Sequence, residues 1–63
     1  MPYRIKEKRL KHNLTQEELA AKSGVSRATI SGLETGMVTI TTTETLRKIA
    51  QALGEKVSDI FLD

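Results

Sequence analysis

The chain has 63 residues, enough for one domain spanning 1–63, with no cysteine and a single histidine, His12; neither a disulfide nor a zinc cluster can staple its core, and at this length only about 60% of the unfolded chain's surface is buried. The formal charge of +2 is unevenly spread, with seven basic and three acidic side chains in residues 1–27 against three and five in residues 28–63, a field that favours a polyanionic partner. No apolar run is long enough for a membrane span or a secretory leader, so the expected compartment is the cytoplasm.

Caps and apolar spacing divide the chain into five short helices, which makes the expected fold class all-α. The first helix is expected over about residues 3–12. Ile5, Arg9 and Leu10 are placed on its inner face, Asn13 on a left-handed turn after it, and His12 over its terminal carbonyls.

The second helix opens on Thr15-Gln16-Glu17-Glu18, a capping box in which the threonine hydroxyl and the Glu18 carboxylate satisfy each other's backbone N–H groups. Leu14 and Leu19 occupy the positions of a hydrophobic staple. Leu19 and the small Ala20 face inward, and Gly24 ends the helix.

The third helix follows Ser26, an N-cap, with the apolar Val25 before it. Ile30 and Leu33 form its inner face. Ala28, Ser31, Gly32 and Thr35 point away, and Gly36 closes it. Residues 37–41 are apolar and β-branched, but no second strand is available to pair with them, so an extended loop is expected. Val38 and Ile40 are assigned to core packing there.

The fourth helix is expected to start from a second T-x-x-E box, Thr41 to Glu44, with Leu46, Ile49, Ala50 and Leu53 recurring at helical spacing before Gly54. The fifth takes Ser58 as N-cap and Asp59 in its first turn, with Val57, Ile60 and Phe61 as apolar contacts.

The informative unit is Thr15 to Gly36, two short helices around a glycine turn. A steep crossing needs that glycine and a small contact residue, and the second helix then presents its N-terminal half outward. The stretch TQEELAAKSGVSRATISGLETG resembles the helix-turn-helix of the phage-repressor class, the Cro/CI or Xre family. Arg9 and the segment LRKIAQALGEKVSDIF extend the resemblance over nearly the whole chain.

The resemblance implies a five-helix, lambda-repressor-like DNA-binding domain, with its helix-turn-helix at about 15–35 and its recognition helix at about 27–35. It implies a structural ion pair between Arg9 and Glu34, and contact of Gln16 with a DNA phosphate and with the first recognition side chain. Ser26, Arg27, Ala28, Thr29, Ser31 and Gly32 map onto the groove-facing stretch. Arg27 can grip guanine O6 and N7 or a phosphate, and Ala28 can touch a thymine methyl. Thr29 and Ser31 can bond a phosphate or a base edge. Gly32 stands where relatives often carry a long polar side chain, and permits close backbone approach. The loop 37–41 lacks the basic residues such proteins use on phosphates, which implies weaker or more dimer-dependent binding. Lys6, Lys8 and Lys11 can reach phosphates from the first helix.

The expected function is sequence-specific recognition of double-stranded DNA by a transcriptional regulator, a repressor that binds a palindromic operator as a homodimer. The C-terminal residues Ile60, Phe61 and Leu62 are the expected pairing surface. No cofactor, metal or small-molecule ligand is implied. No catalytic constellation is present, so an enzyme is not expected. An RNA reader would need stacking aromatics, and only Tyr3 and Phe61 are available, the latter expected in the core. The alternative is an antitoxin or other protein-interaction module built on the same fold.

Overall fold

The computed structural model describes residues 3–61, all-helical with five helices in chain order: α1 (Ile5–Lys11), α2 (Gln16–Ser23), α3 (Arg27–Thr35), α4 (Thr43–Leu53) and α5 (Val57–Ile60). There is no strand among the described residues. A lone antiparallel bridge joins Tyr3 to Phe61 and brings the two ends of the domain together, and the Arg4 N–H donates to the Ile60 carbonyl at 2.7 Å.

Local chemistry sets most helix ends. Thr15 and Glu18 form the capping box: the Glu18 N–H donates to Thr15 Oγ1 at 3.0 Å and the Thr15 N–H donates to Glu18 Oε1 at 2.8 Å. Asn13, at φ 57°, takes the left-handed turn that links α1 to α2. In the turn between α2 and α3, Gly24 is left-handed at φ 74°, and the Val25 N–H donates to the buried Ser23 hydroxyl at 3.2 Å. Ser26 caps α3 through the Thr29 N–H.

Two caps differ from expectation. Helix α4 is capped by Thr42, whose hydroxyl accepts from the Thr45 N–H at 3.1 Å. Glu44 therefore falls one residue short of the capping position and pairs with Arg47 at 3.0 Å. Helix α5 begins after Lys56, not Ser58. There the Asp59 carboxylate reaches back to the Lys56 N–H at 2.9 Å, which leaves Ser58 inside the first turn.

Ile5, Leu19, Ile30, Leu33, Ile49 and Ile60 are fully buried, one or more from every helix, with Tyr3, Val25, Leu46, Ala50 and Leu53 around them. Three apolar assignments are corrected. Leu10 is 55% exposed, because the Arg9 side chain next to it takes the inward direction. Ile40 is 89% exposed, and only Val38 from that loop packs on the core. Ile60 is buried whereas Phe61 is 44% exposed, so Ile60 cannot belong to a pairing surface; Leu62 lies outside the described residues. Phe61 instead lies beside Tyr3, ring centroids 5.6 Å apart.

The loop after α3 folds back over that helix. The Val38 N–H donates to the Gly32 carbonyl at 3.0 Å, and Val38 fills the space that a side chain at position 32 would occupy. A Cβ there would meet Val38 Cγ2 at 2.5 Å. The gap opened by Gly32 is thus closed by the protein's own loop, which corrects the expectation that this glycine admits a close approach from outside.

His12 does not cap carbonyls with its ring. Its Nε2 lies 2.9 Å from Glu55 Oε2, and Lys11 and Lys8 approach the same carboxylate at 3.5 and 3.8 Å. The His12 hydrogen bond, aided by the charges of Lys11 and Lys8, holds the Glu55 carboxyl below its ordinary range despite opposing desolvation. This cluster fastens the end of α1 to the turn between α4 and α5.

Alanine at a helix-interior glycine ordinarily gains about 1 kcal/mol. At position 32 the clash with Val38 reverses the sign, because overpacking costs about 1–3 kcal/mol. Gly32→Ala should lower the urea midpoint, and the same substitution in a Val38→Ala background should raise it or leave it unchanged. A stabilising Gly32→Ala in both backgrounds contradicts this packing.

Candidate nucleic-acid interface

The site is built outward from a buried charge. Arg9 leaves α1 toward the last turn of α3, where its Nε and Nη2 donate to Glu34 Oε2 and Oε1 at 2.8 and 3.1 Å. Both side chains are buried. Its hydrogen bonding to the Glu34 carboxylate outweighs desolvation and holds the guanidinium more firmly in its charged form. The remaining nitrogen, Nη1, donates to the Leu14 carbonyl at 2.8 Å, so the same arginine also fixes the connection between α1 and α2.

Gln16, the first residue of α2, extends this pair to the surface. Its Nε2 donates to Glu34 Oε1 at 3.1 Å. Its Oε1 then accepts from Arg27 Nε at 3.5 Å. Arg27 is the first residue of α3, where the positive end of the helix dipole disfavours a cation. The Gln16 carbonyl oxygen supplies a partly compensating dipole and draws the guanidinium over the start of α2.

Of the residues expected to face a groove, Ser26, Arg27 and Ala28 are exposed. Thr29 is half-buried and turned to its own cap: its N–H donates to Ser26 Oγ at 3.2 Å, and Ser26 Oγ donates to Thr29 Oγ1 at 2.8 Å. Ser31 is half-buried, and its carbonyl accepts from the Thr35 hydroxyl at 2.9 Å. Gly32 faces Val38. The outward stripe of α3 is therefore exposed Arg27 and Ala28, then half-buried Ser31, then exposed Thr35. Thr35, placed by the sequence on the outward face but not among the groove-contact residues, continues this stripe one turn beyond Ser31. Lys8 and Lys11, read as solvated charges within reach of phosphates, are held at Glu55, whereas Lys6 forms no ion pair among the described residues.

No helix among the described residues is long and apolar enough to cross a membrane. No group of His, Cys, Asp or Glu among them has a metal-binding arrangement.

A family model described as helix-turn-helix matches residues 5–60. An uncharacterized HTH-type transcriptional regulator of Methanocaldococcus jannaschii is 45% identical over 62 residues, covering 98% of this chain and 92% of its own length. A protein of the same description from Archaeoglobus fulgidus is 47% identical over 62 residues, covering 98% and 86%. A third, from Methanothermobacter thermautotrophicus, is 46% identical over 59 residues, covering 92% and 84%.

Removing one partner of a buried pair strands the other charge, at a cost of about 3–5 kcal/mol. Arg9→Ala and Glu34→Ala should each lose most of the cooperative thermal transition followed by circular dichroism. Arg9→Met with Glu34→Leu together should recover a substantial part of it, since no unpaired ion then remains. Single variants that melt like the parent would show that the pair contributes little.

Proposed function

The chain belongs to the helix-turn-helix family of Cro/CI (Xre) type, and from that membership we propose that it is a repressor that reads a palindromic operator in double-stranded DNA as a homodimer. The observation that carries this reading is the line from Arg9 through Glu34 and Gln16 to Arg27, which holds one long cationic side chain at the outer start of α3. Arg27 in that position is suited to guanine O6 and N7 or to a phosphate. Gln16 keeps one amide proton for a phosphate, while its carbonyl oxygen serves Arg27. Ala28, Ser31 and Thr35 offer a low surface along which a groove wall can pass, and Ser26 adds a hydroxyl beside the α3 cap.

One helix with one long reader covers a single half-site. Two copies related by a two-fold axis read half-sites about 34–36 Å apart. Since Ile60 is buried, the pairing surface proposed here is the exposed apolar patch nearby. Ile40 (89% exposed) and Phe61 (44% exposed) border a groove of about 420 Å³ that also includes Tyr3, Leu46 and Val57 and no charged side chain. A knob beside its own groove is self-complementary under a two-fold axis: Ile40 of each copy can enter the groove of the other. A standard interface takes about 800 Å² per partner, a fifth of this chain's 4009 Å² surface, and one groove does not fill it. Pairing is therefore weak in the free chain and completed on DNA.

Selection of bound sequences from random duplexes should return a palindromic consensus, and equal recovery of all sequences at moderate salt would refute the proposal. On that consensus Arg27→Ala should cost about 1–3 kcal/mol, roughly a 5- to 150-fold loss, and relax preference at one base position per half-site. Gln16→Ala should cost less and lower the salt dependence. A pure protein-interaction module would not respond to either change.

Ile40→Asp should remove the advantage of a two-half-site duplex over a single half-site while leaving single-site affinity intact. An unchanged ratio would place the pairing surface elsewhere.

A further inference from the structure

A cleft lies away from the proposed DNA-reading side, between the C-terminal ends of α1, α2 and α4. It has a volume of about 750 Å³, and none of Gln16, Ser26, Arg27, Ala28 or Ser31 lines it. Its apolar part comes from Leu14, Ala52 and Leu53; its rim carries Lys22, Lys48 and Gln51. No carboxylate lines it.

We propose that this cleft docks an acidic segment of a partner protein, one whose carboxylates meet Lys22 and Lys48 while an apolar side chain covers Leu14 and Ala52.

The two lysines carry the case. Neither forms an ion pair among the described residues. The glutamate four residues before each would be its ordinary helical partner, and both are engaged elsewhere: Glu18 accepts the Thr15 N–H at 2.8 Å, and Glu44 pairs with Arg47 at 3.0 Å. Lys22 stands in the last turn of α2, where it also offsets the helix dipole. Lys48 is not in the last turn of α4, so that role does not account for it. The result is a pair of ammonium groups without an ion-pair partner among the described residues, over an uncovered apolar floor, a pattern complementary to an acidic chain with an apolar anchor.

Two other occupants match the cleft less well. A small organic anion is ordinarily 70–90% enclosed by its site, whereas Lys22, Lys48 and Gln51 are all exposed and leave the rim open. A DNA phosphate would meet the lysines but has no apolar body for Leu14 and Ala52.

The test is a titration of the ¹⁵N-labelled full chain, followed by amide chemical shifts, with three probes: a synthetic amphipathic peptide of Glu, Leu and Ala, its Lys-for-Glu counterpart, and a short random duplex. The acidic peptide should move the amides of Leu14, Lys22, Ser23 and Gln51 to Gly54, and leave those of α3 in place. Lys22→Glu with Lys48→Glu should weaken that binding about tenfold or more, and added salt should weaken it in the parent. The milder Lys22→Gln with Lys48→Gln should give a smaller loss in the same direction. An unchanged cooperative thermal transition by circular dichroism reports that the fold of these variants is intact. The proposal is overturned if the acidic peptide leaves these amides unmoved, if the Lys peptide moves them equally, or if the duplex moves them as strongly as the acidic peptide does.

Discussion

The buried pair of Arg9 and Glu34 is the constraint on which the proposed site depends. Ions withdrawn from water remain stable only when their hydrogen-bonding capacity is met, and each partner here meets that demand from a different element. Arg9 reaches α3 and the α1–α2 connection; Glu34 reaches α1 and the first turn of α2. Four parts of the chain are thereby held in one mutual arrangement. The pair also settles the direction of a neighbouring amide. An ionised carboxylate only accepts, so the side of Gln16 that touches Glu34 must be its NH₂ group. Its carbonyl oxygen is then turned the other way, toward Arg27. A buried charge thus dictates the polarity of a surface contact two side chains distant.

The outer face of α3 is what remains after that arrangement and the core have taken their share. Ile30 and Leu33 are committed to the interior, Glu34 to Arg9, and Gly32 to the returning loop through Val38. Thr29 is partly occupied by the cap. Arg27, Ala28, Ser31 and Thr35 are left, a face with one long side chain. A helix so equipped has little capacity for direct readout, which is why the proposed reading needs a second copy and why the uncharged patch around Ile40 bears on function.

What was legible in the sequence was the chemistry confined to one helical turn. Thr15 with Glu18, Ser26 before Arg27 and the left-handed Asn13 and Gly24 are local rules acting on local residues. Three consecutive threonines before α4 defeat the same rules, because each can cap. The cap falls on Thr42, with Thr43 already the first residue of the helix. At α5 a serine looked like the cap, but a carboxylate three residues into the helix caps Lys56 more directly. Burial failed where apolar residues adjoin. Ile60 and Phe61 are neighbours, and which of them turns inward is decided by the bridge to Tyr3, far away in sequence. The contact of Gly32 with Val38 has no sequence signature, since glycine in a helix reads equally as tolerance or as a place for a partner. Arg9 and Glu34 lie 25 residues apart and carry no spacing rule; family resemblance, and not periodicity, joined them.

The charge asymmetry between the two parts of the chain takes on a different meaning in three dimensions. Of the seven basic residues in 1–27, Arg9 is matched by Glu34, and Lys8 and Lys11 converge on Glu55. Both acids come from the acidic remainder of the chain. Part of the imbalance along the sequence is therefore the means by which α1 closes against α3 and against the turn before α5. Bulk charge is for this reason a poor guide to where this protein meets a polyanion. The cations on which the two proposals rest, none of them in an ion pair among the described residues, are Arg27, poised by Gln16 at the start of α3, and the two lysines across the cleft beside α4. On the two proposals made above, their separation would let one small domain hold DNA on one side and leave the other side free for a different partner.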